Sequence, residues 1–168
     1  KRQIIIVSCW IANTSVWRIF VHFLNLFKMY NTREDYLYGN CNIFAVAAKS
    51  FLKAHIVCLL ENRLITTSGV MEIKESLIHC FLKVSDTMGF DARGLRPIDE
   101  ILDEYQFDCT ELPSWLSENK TDQEVLGYGY QRNGGSEVID LAIARHFITE
   151  NLMEDIRGVI ESSRNQQL

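Results

Sequence analysis

Residues 77–92, LIHCFLKVSDTMGFDA, are the stretch on which the fold turns. Leu77 to Val84 is the strongest strand signal in the chain, a run of branched and aromatic residues with one imidazole set into it. Ser85-Asp86-Thr87-Met88-Gly89 carries turn chemistry, and Phe90-Asp91-Ala92 reads as the returning strand of a hairpin. A hairpin implies antiparallel pairing, since parallel strands need a long crossover.

Working outward, His55 to Leu60 (HIVCLL) reads as a second short, buried strand. Glu61 to Gly69 (ENRLITTSG) holds turn residues and room for one short strand. Further back, Gly39 breaks the chain, Asn40 can cap, and Cys41 to Ala54 reads as a helix. Its inward stripe is Cys41, Phe44, Ala45, Ala48 and Leu52. The small side chains of Ala45, Ala47 and Ala48 let another element come close.

Downstream, Pro97 opens a short helix, PIDEILDEY, with Ile98, Ile101, Leu102 and Tyr105 inward. Asp99 and Glu100 sit near its positive end. Residues 106–135 read as irregular, with Tyr128 to Gly135 an ordinary loop or, in the sharper alternative, a mobile lid. Ser136 caps one long final helix whose stripe runs from Val138 and Leu141 through Ala142, Arg145, Ile148, Leu152 and Ile156 to Val159. The expected class is α+β: a helix carrying Cys41 packed on a small antiparallel sheet, with peripheral helices and a long last one.

At 168 residues the chain suits one domain with a sizeable core. Its hydrophobic share of 47% and charged share of 23% are those of a soluble globular protein. A net charge of −5 argues against a general nucleic-acid binder, whose footprint is a basic face. The five cysteines are irregularly spaced with no C-x-x-C pair, which fits neither a disulfide framework nor a zinc site. Reduced thiols in the cytoplasm are the simplest expectation.

Residues 1–28 are read apart from the single domain expected over 29–168. Ile4 to Phe27 has the outline of a signal or anchor sequence. Asn13, Arg18 and His22 in its middle oppose a membrane span, since one central arginine costs about 2.5–3.5 kcal/mol on insertion scales. A packed amphipathic helix with Val16, Phe20, Phe23 and Phe27 on one face is one expectation. A peripheral extension ahead of Met29 is the other.

The residues that could do chemistry start with Cys41. A thiol at the first position of a helix faces unpaired N–H groups and about half a positive charge, both of which favour the thiolate. The thiolate is the nucleophile, and the Cys41 N–H could face an oxyanion formed at the carbon it attacks. Gly39 permits a close backbone approach there, and Asn40 could donate as well. An imidazole beside the sulfur serves as counter-ion and proton donor, and His79 is the candidate. An acceptor must orient that ring. Asp91, on the return strand, shares a face with His79 if the hairpin loop has an odd number of residues and no bulge intervenes.

The order Cys at a helix start, His on a strand and Asp on the next strand resembles papain-like and transglutaminase-like cysteine hydrolases. The pattern Gly39-Asn40-Cys41, Phe44-Ala45, Ala47, then His79, then Asp91-Ala92-Arg93-Gly94 is similar to that of small bacterial and phage members of that superfamily. The resemblance covers roughly residues 36–94. It implies Cys41 as nucleophile, His79 as general base and acid, and Asp91 as orienter. Oxyanion support falls to Asn40 and Gly39, or to a tyrosine hydroxyl. The bond attacked would be an amide, isopeptide or thioester, in a protein or peptide substrate, with no metal or organic cofactor.

Each of these residues also has a plain reading. Cys41 could be a core cysteine, His79 a satisfied strand histidine, and Asp91 a turn closer. Arg93 could hold a substrate carboxylate bidentately, or pair with Asp99, Glu100 or Asp103. Cys58 and Cys80 read as structural, and His55 and His146 as poorly placed rivals to His79. The alternative function is a catalytically inactive interaction or inhibitor protein that binds a protein partner.

Overall fold

The computed structural model describes residues 32–67, 69–105, 113–128 and 137–165. The expectations for residues 1–28, for Ser136 as a cap and for the loop beyond Tyr128 lie outside the described residues. Within them the protein is α+β, with one antiparallel five-stranded sheet and helices packed on it.

Helix α1 (Arg33–Tyr38) starts at Thr32, whose side chain accepts from the Asp35 N–H while the Asp35 carboxylate accepts from Thr32 N. Helix α2 (Cys41–Ala48) follows at once. Every residue of its expected stripe is buried, Leu52 included, although the regular helix ends at Ala48 rather than Ala54. Its last turn dissolves into turns, with Ser50 N and Phe51 N bonded to the carbonyls of Ala47 and Ala48.

The sheet comprises β1 (His55–Thr67), β2 (Val70–Lys83), β3 (Met88–Asp91), β4 (Gly94–Pro97) and β5 (Ser114–Ser117), in the order β4-β3-β2-β1-β5. The expected short strand at His55–Leu60 and the separate turn-rich stretch after it are one continuous strand. β1 pairs with β2 from His55↔Lys83 to Thr67↔Val70 as a long hairpin, with Gly69 at φ 81° in its tight end. The turn residues at Thr66 and Thr67 did not end the strand, because β branching at Ile65 to Thr67 suits a pleated ladder.

One irregularity interrupts that ladder. Cys58 pairs with Cys80 and Leu60 with Leu77, so Ile78 and His79 together oppose the single residue Leu59. This is a β-bulge of two residues against one. Leu77 and Cys80 both pack toward α2, while Ile78 and Phe81 pack on the other side.

Helix α3 (Ile98–Tyr105) covers that other side with Ile101 and Tyr105, over Val57, Leu59 and Phe81. On the α2 side lie α4 (Asp122–Gly127), α5 (Glu137–Asn151) and α6 (Met153–Asn165). β5 and α4 correct the expectation that residues 106–135 are irregular. α4 has a full capping box, Thr121 with Glu124.

The single long last helix is also corrected, to two helices bent at Leu152. Asn151 Nδ2 donates to the Phe147 carbonyl at 2.8 Å, one turn back, at the place of the bend. The buried face of α5 is Ile143, Ala144, Phe147 and Ile148, whereas Val138, Ala142 and Arg145 are exposed. The expected stripe was rotated by about one residue there, and Leu152, Ile156 and Val159 are buried as expected.

Candidate active site

Cys41 opens α2, so its N–H has no acceptor within the helix. The turn carrying it is clamped from behind: Asn42 is buried, and its Nδ2 faces the carbonyls of Val125 and Leu126 at 3.4 and 3.3 Å. Asn40 holds the N-cap position, but its side chain makes no cap hydrogen bond. Its φ of −122° and ψ of 27° differ from the extended backbone of the two capping-box residues. The expected cap is therefore absent, and the Asn40 amide is free for other use. Gly39 has a φ of −158°, outside the left-handed region, and a Cβ there would meet only the Asp35 carbonyl at 3.7 Å, so no close approach requires glycine.

His79 arrives through the bulge. Its ring lies flat on the Tyr105 ring, with centroids 3.9 Å apart and planes 9° from parallel. A tyrosine π face against an imidazole favours its charged form. Tyr105 is itself fixed by its hydroxyl, which donates to the Leu37 carbonyl at 3.3 Å.

His79 Nε2 lies 3.5 Å from Asp91 Oδ2, an ion-pair contact longer than a formed hydrogen bond. Neither ring nitrogen has a hydrogen-bond partner among the described residues. Burial opposes a charge on His79, but Asp91 and Cys41 together outweigh it and push its pKa up to about 9.

Asp91 closes the β3–β4 hairpin and faces the imidazole at the same time. Its Oδ1 accepts the Arg93 N–H at 2.8 Å, and its Oδ2 accepts from Arg96 at 3.0 Å. Burial would raise its pKa; the neighbouring His79 imidazole, the Arg93 N–H and the Arg96 charge hold it below the usual value. The plain turn-closing reading and the orienting geometry thus coexist in one side chain.

Around the sulfur, the Cys80 thiol is the strongest influence that lowers the Cys41 pKa. Burial opposes it, and the neighbouring His79 with its charge then adds to the lowering, leaving the Cys41 pKa well below ordinary. The converse holds for the other two thiols. Burial first, then Cys41, raises Cys80 well above its ordinary value, and burial pushes Cys58 up to about 12. Both stay protonated, which fits their reading as structural cysteines. All three are free thiols.

The three expected residues, Cys41, His79 and Asp91, therefore come together. Arg93 does not point its guanidinium into this group: it pairs with Glu104 and reaches the Tyr38 hydroxyl at 3.3 Å. Its partner is Glu104 rather than Asp99, Glu100 or Asp103, and Arg96 joins the same carboxylate at 2.7 Å. Reading the sequence missed Arg96, Tyr105 and Cys80. Only Cys80 carried a signal, as the thiol next to His79.

A cleft of about 710 Å³ opens beside Cys41. Its walls include Tyr38 and Gly39, the bulge residue Ile78, the hairpin residues Arg63 and Lys74, and Tyr128 of the segment after α4. Among the described residues no group of three or more His, Cys, Asp or Glu could hold a metal ion, and no helix is long and apolar enough to cross a membrane.

What fold and site define together is an α+β domain with a thiol beside a buried imidazole and carboxylate, the thiol-bearing residue lining a cleft. Comparisons with protein-family models, curated proteins and solved structures returned no match to this chain.

Proposed function

We propose that the protein is a cysteine-dependent hydrolase or acyl transferase acting on an amide, isopeptide or thioester bond. The observation that carries this reading is the contact of Cys41, His79 and Asp91, drawn from three separate elements, with the sulfur-bearing residue on a cleft. Sulfur with a lowered pKa next to imidazole with a raised one is a thiolate–imidazolium pair over the range between the two. With Asp91 on Nε2, Nδ1 is the nitrogen left to exchange a proton with sulfur.

The Cys41 thiolate attacks the carbonyl carbon, and the electron pair of the C=O moves to oxygen. The Cys41 N–H, at the open end of α2, is the donor offered to such an oxyanion, with the neighbouring Asn40 amide as a second. Protonated His79 then gives its proton to the departing amine or thiol, and the acyl group stays on sulfur. Water, or a second amine, gives a proton back to His79 as it attacks the thioester and frees the enzyme.

The test is alkylation by iodoacetamide between about pH 5 and pH 9, with peptide mapping to identify the cysteine modified. Cys41 is expected to react at about pH 6 at least tenfold faster than an exposed model thiol, which is almost wholly protonated there. Cys41→Ala removes the fast phase. A thiol at position 41 that reacts no faster than the model thiol at that pH ends the reading.

A second reading, an inactive interaction protein with this fold, is favoured by the sealing of the imidazole, which is 1% exposed. Under it, Cys41→Ser would bind the same partner as wild type while no acyl-enzyme ever accumulates.

A further inference from the structure

The walls of the cleft carry five charged side chains, and they are not equally occupied. Glu75 accepts from Lys120 at 2.7 Å and from the Tyr128 hydroxyl. Glu124 is spent on the Thr121 cap. Arg63 and Lys74 differ from these.

The register pairs Arg63 directly with Lys74 across β1 and β2, so two cations stand opposite each other on one face. Like charges so placed destabilise a sheet unless something lies between them. Arg63 gives its Nε–H to Glu61, which is 1% exposed, and no hydrogen bond among the described residues uses its two terminal nitrogens. A buried carboxylate thus fixes the arginine from beneath and leaves its outer fork unused. Among the described residues Lys74 has only a loose contact at 3.8 Å, to Glu72.

We propose that Arg63 and Lys74 form an anion-binding subsite that selects an acidic side chain of a peptide substrate. This inference rests on the proposed thiol chemistry and names the substrate for that same cleft. A guanidinium fork held by its Nε end takes a carboxylate on its other edge, and the lysine supplies a second, movable charge.

Position follows from the strand. Arg63 lies four residues along β1 from Leu59, the partner of His79. At about 3.3 Å per residue that is about 13 Å. An extended peptide lying along the cleft covers the same distance in about four residues. The substrate therefore carries Asp or Glu about four positions from the bond attacked.

Two measurements separate this inference from the reading beneath it. In the first, fluorescent peptides with a single Glu, or Gln in its place, are titrated against Cys41→Ser protein by anisotropy. The Glu peptide is expected to bind about fivefold tighter, as a partly exposed ion pair allows. Lys74→Gln and Arg63→Gln should each shrink that preference, and added salt should erase it. Lys74 is half-exposed, so its variant does not threaten the fold, and Arg63→Lys keeps the charge while removing the fork. Equal binding of the Glu and Gln peptides, or a preference that survives both glutamine variants, overturns the subsite whether or not Cys41 is a nucleophile.

In the second, wild type is alkylated with peptide chloromethyl ketones that carry Glu at successive distances from the ketone. A rate maximum at about the fourth position is expected. A flat series overturns the position. Failure of every ketone to modify Cys41 faster than a model thiol, with the binding preference intact, removes the catalytic reading and leaves the acidic-peptide site standing.

Discussion

At the scale of single residues, Asp91 carries the largest share of the argument, because one carboxylate serves a turn, an arginine and an imidazole. Asp91→Asn removes the charge that helps to hold His79 at a pKa of about 9. The pH at which the His79 ring loses its proton, read by nuclear magnetic resonance, should then move down by roughly one to two pH units. The sign for stability follows from the direction of each shift. His79 is raised, so its contribution is complete below its unfolded pKa of about 6.5 and is lost as pH rises through about 9. Asp91 is lowered, so its contribution is present above about 3.9 and is lost as pH falls through its folded value. The gap in melting temperature between wild type and Asp91→Asn should therefore be widest near neutrality and close in acid. Cys80→Ala tests the neighbour that sequence reading took as structural. Loss of its hydrogen bond should raise the pH at which Cys41 is half alkylated, with His79 alone left to hold the thiolate.

At the scale of elements, the bulge decides where the imidazole goes. Leu77 to Cys80 reads in sequence as an unbroken apolar strand, and nothing in Leu-Ile-His-Cys marks the extra residue. The hairpin partner was legible, since Asp91 shares a face with His79 through the pairing Lys83↔Gly89. The bulge lies on the other side of β2, where it changes the match to β1 and leaves the count to Asp91 intact. Deleting Ile78 would remove the bulge and leave the pairs on either side of it as they are, Leu59 with His79 and Leu60 with Leu77. The expected result is a folded protein that loses the local twist at His79, so that its Cys41 alkylates at about pH 6 more slowly than that of wild type, read by the same mapping together with circular dichroism.

The capping box of α4 shows the opposite case. Thr121-Asp122-Gln123-Glu124 spells it in the sequence, yet the glycines around it drew the reading toward loop. The bend at Leu152 had no such signal, lacking Gly or Pro. Gly94 is a further point at which an element depends on one residue. Its φ is 97°, and a Cβ would lie 2.6 Å from Asp155 Oδ2 of α6. Gly94→Ala should cost about 1–3 kcal/mol in denaturant unfolding.

At the scale of the whole molecule, the helix that bears Cys41 is also the centre of the core. Phe44, on α2, is 1% exposed and touches the rings of Tyr36, Phe90 and Phe147 from three other elements. Phe44→Ala should cost about 3–5 kcal/mol, seen as a lower denaturant midpoint at unchanged slope. The α+β architecture was readable because the expected stripe on α2 is buried and because the strands at the centre of the sheet are continuous apolar runs, buried on both faces. That Cys41, His79 and Asp91 come together was readable from the helix start, the strand and the hairpin that carry them. Arg96, Tyr105 and Glu104 were not, since each reaches the site by tertiary packing that no local spacing encodes.

The outer part of the β1–β2 hairpin stands apart from this core. Leu64, Val70, Met71 and Ile73 are exposed there, while the ladder nearer the bulge is buried on both faces. Amide protons of the two halves should consequently exchange with deuterium at separate rates. The tip can unzip and reclose many times while the sulfur, the ring and the carboxylate keep their places. The chain thus joins a fast-breathing arm to a slow-opening base within a single pair of strands.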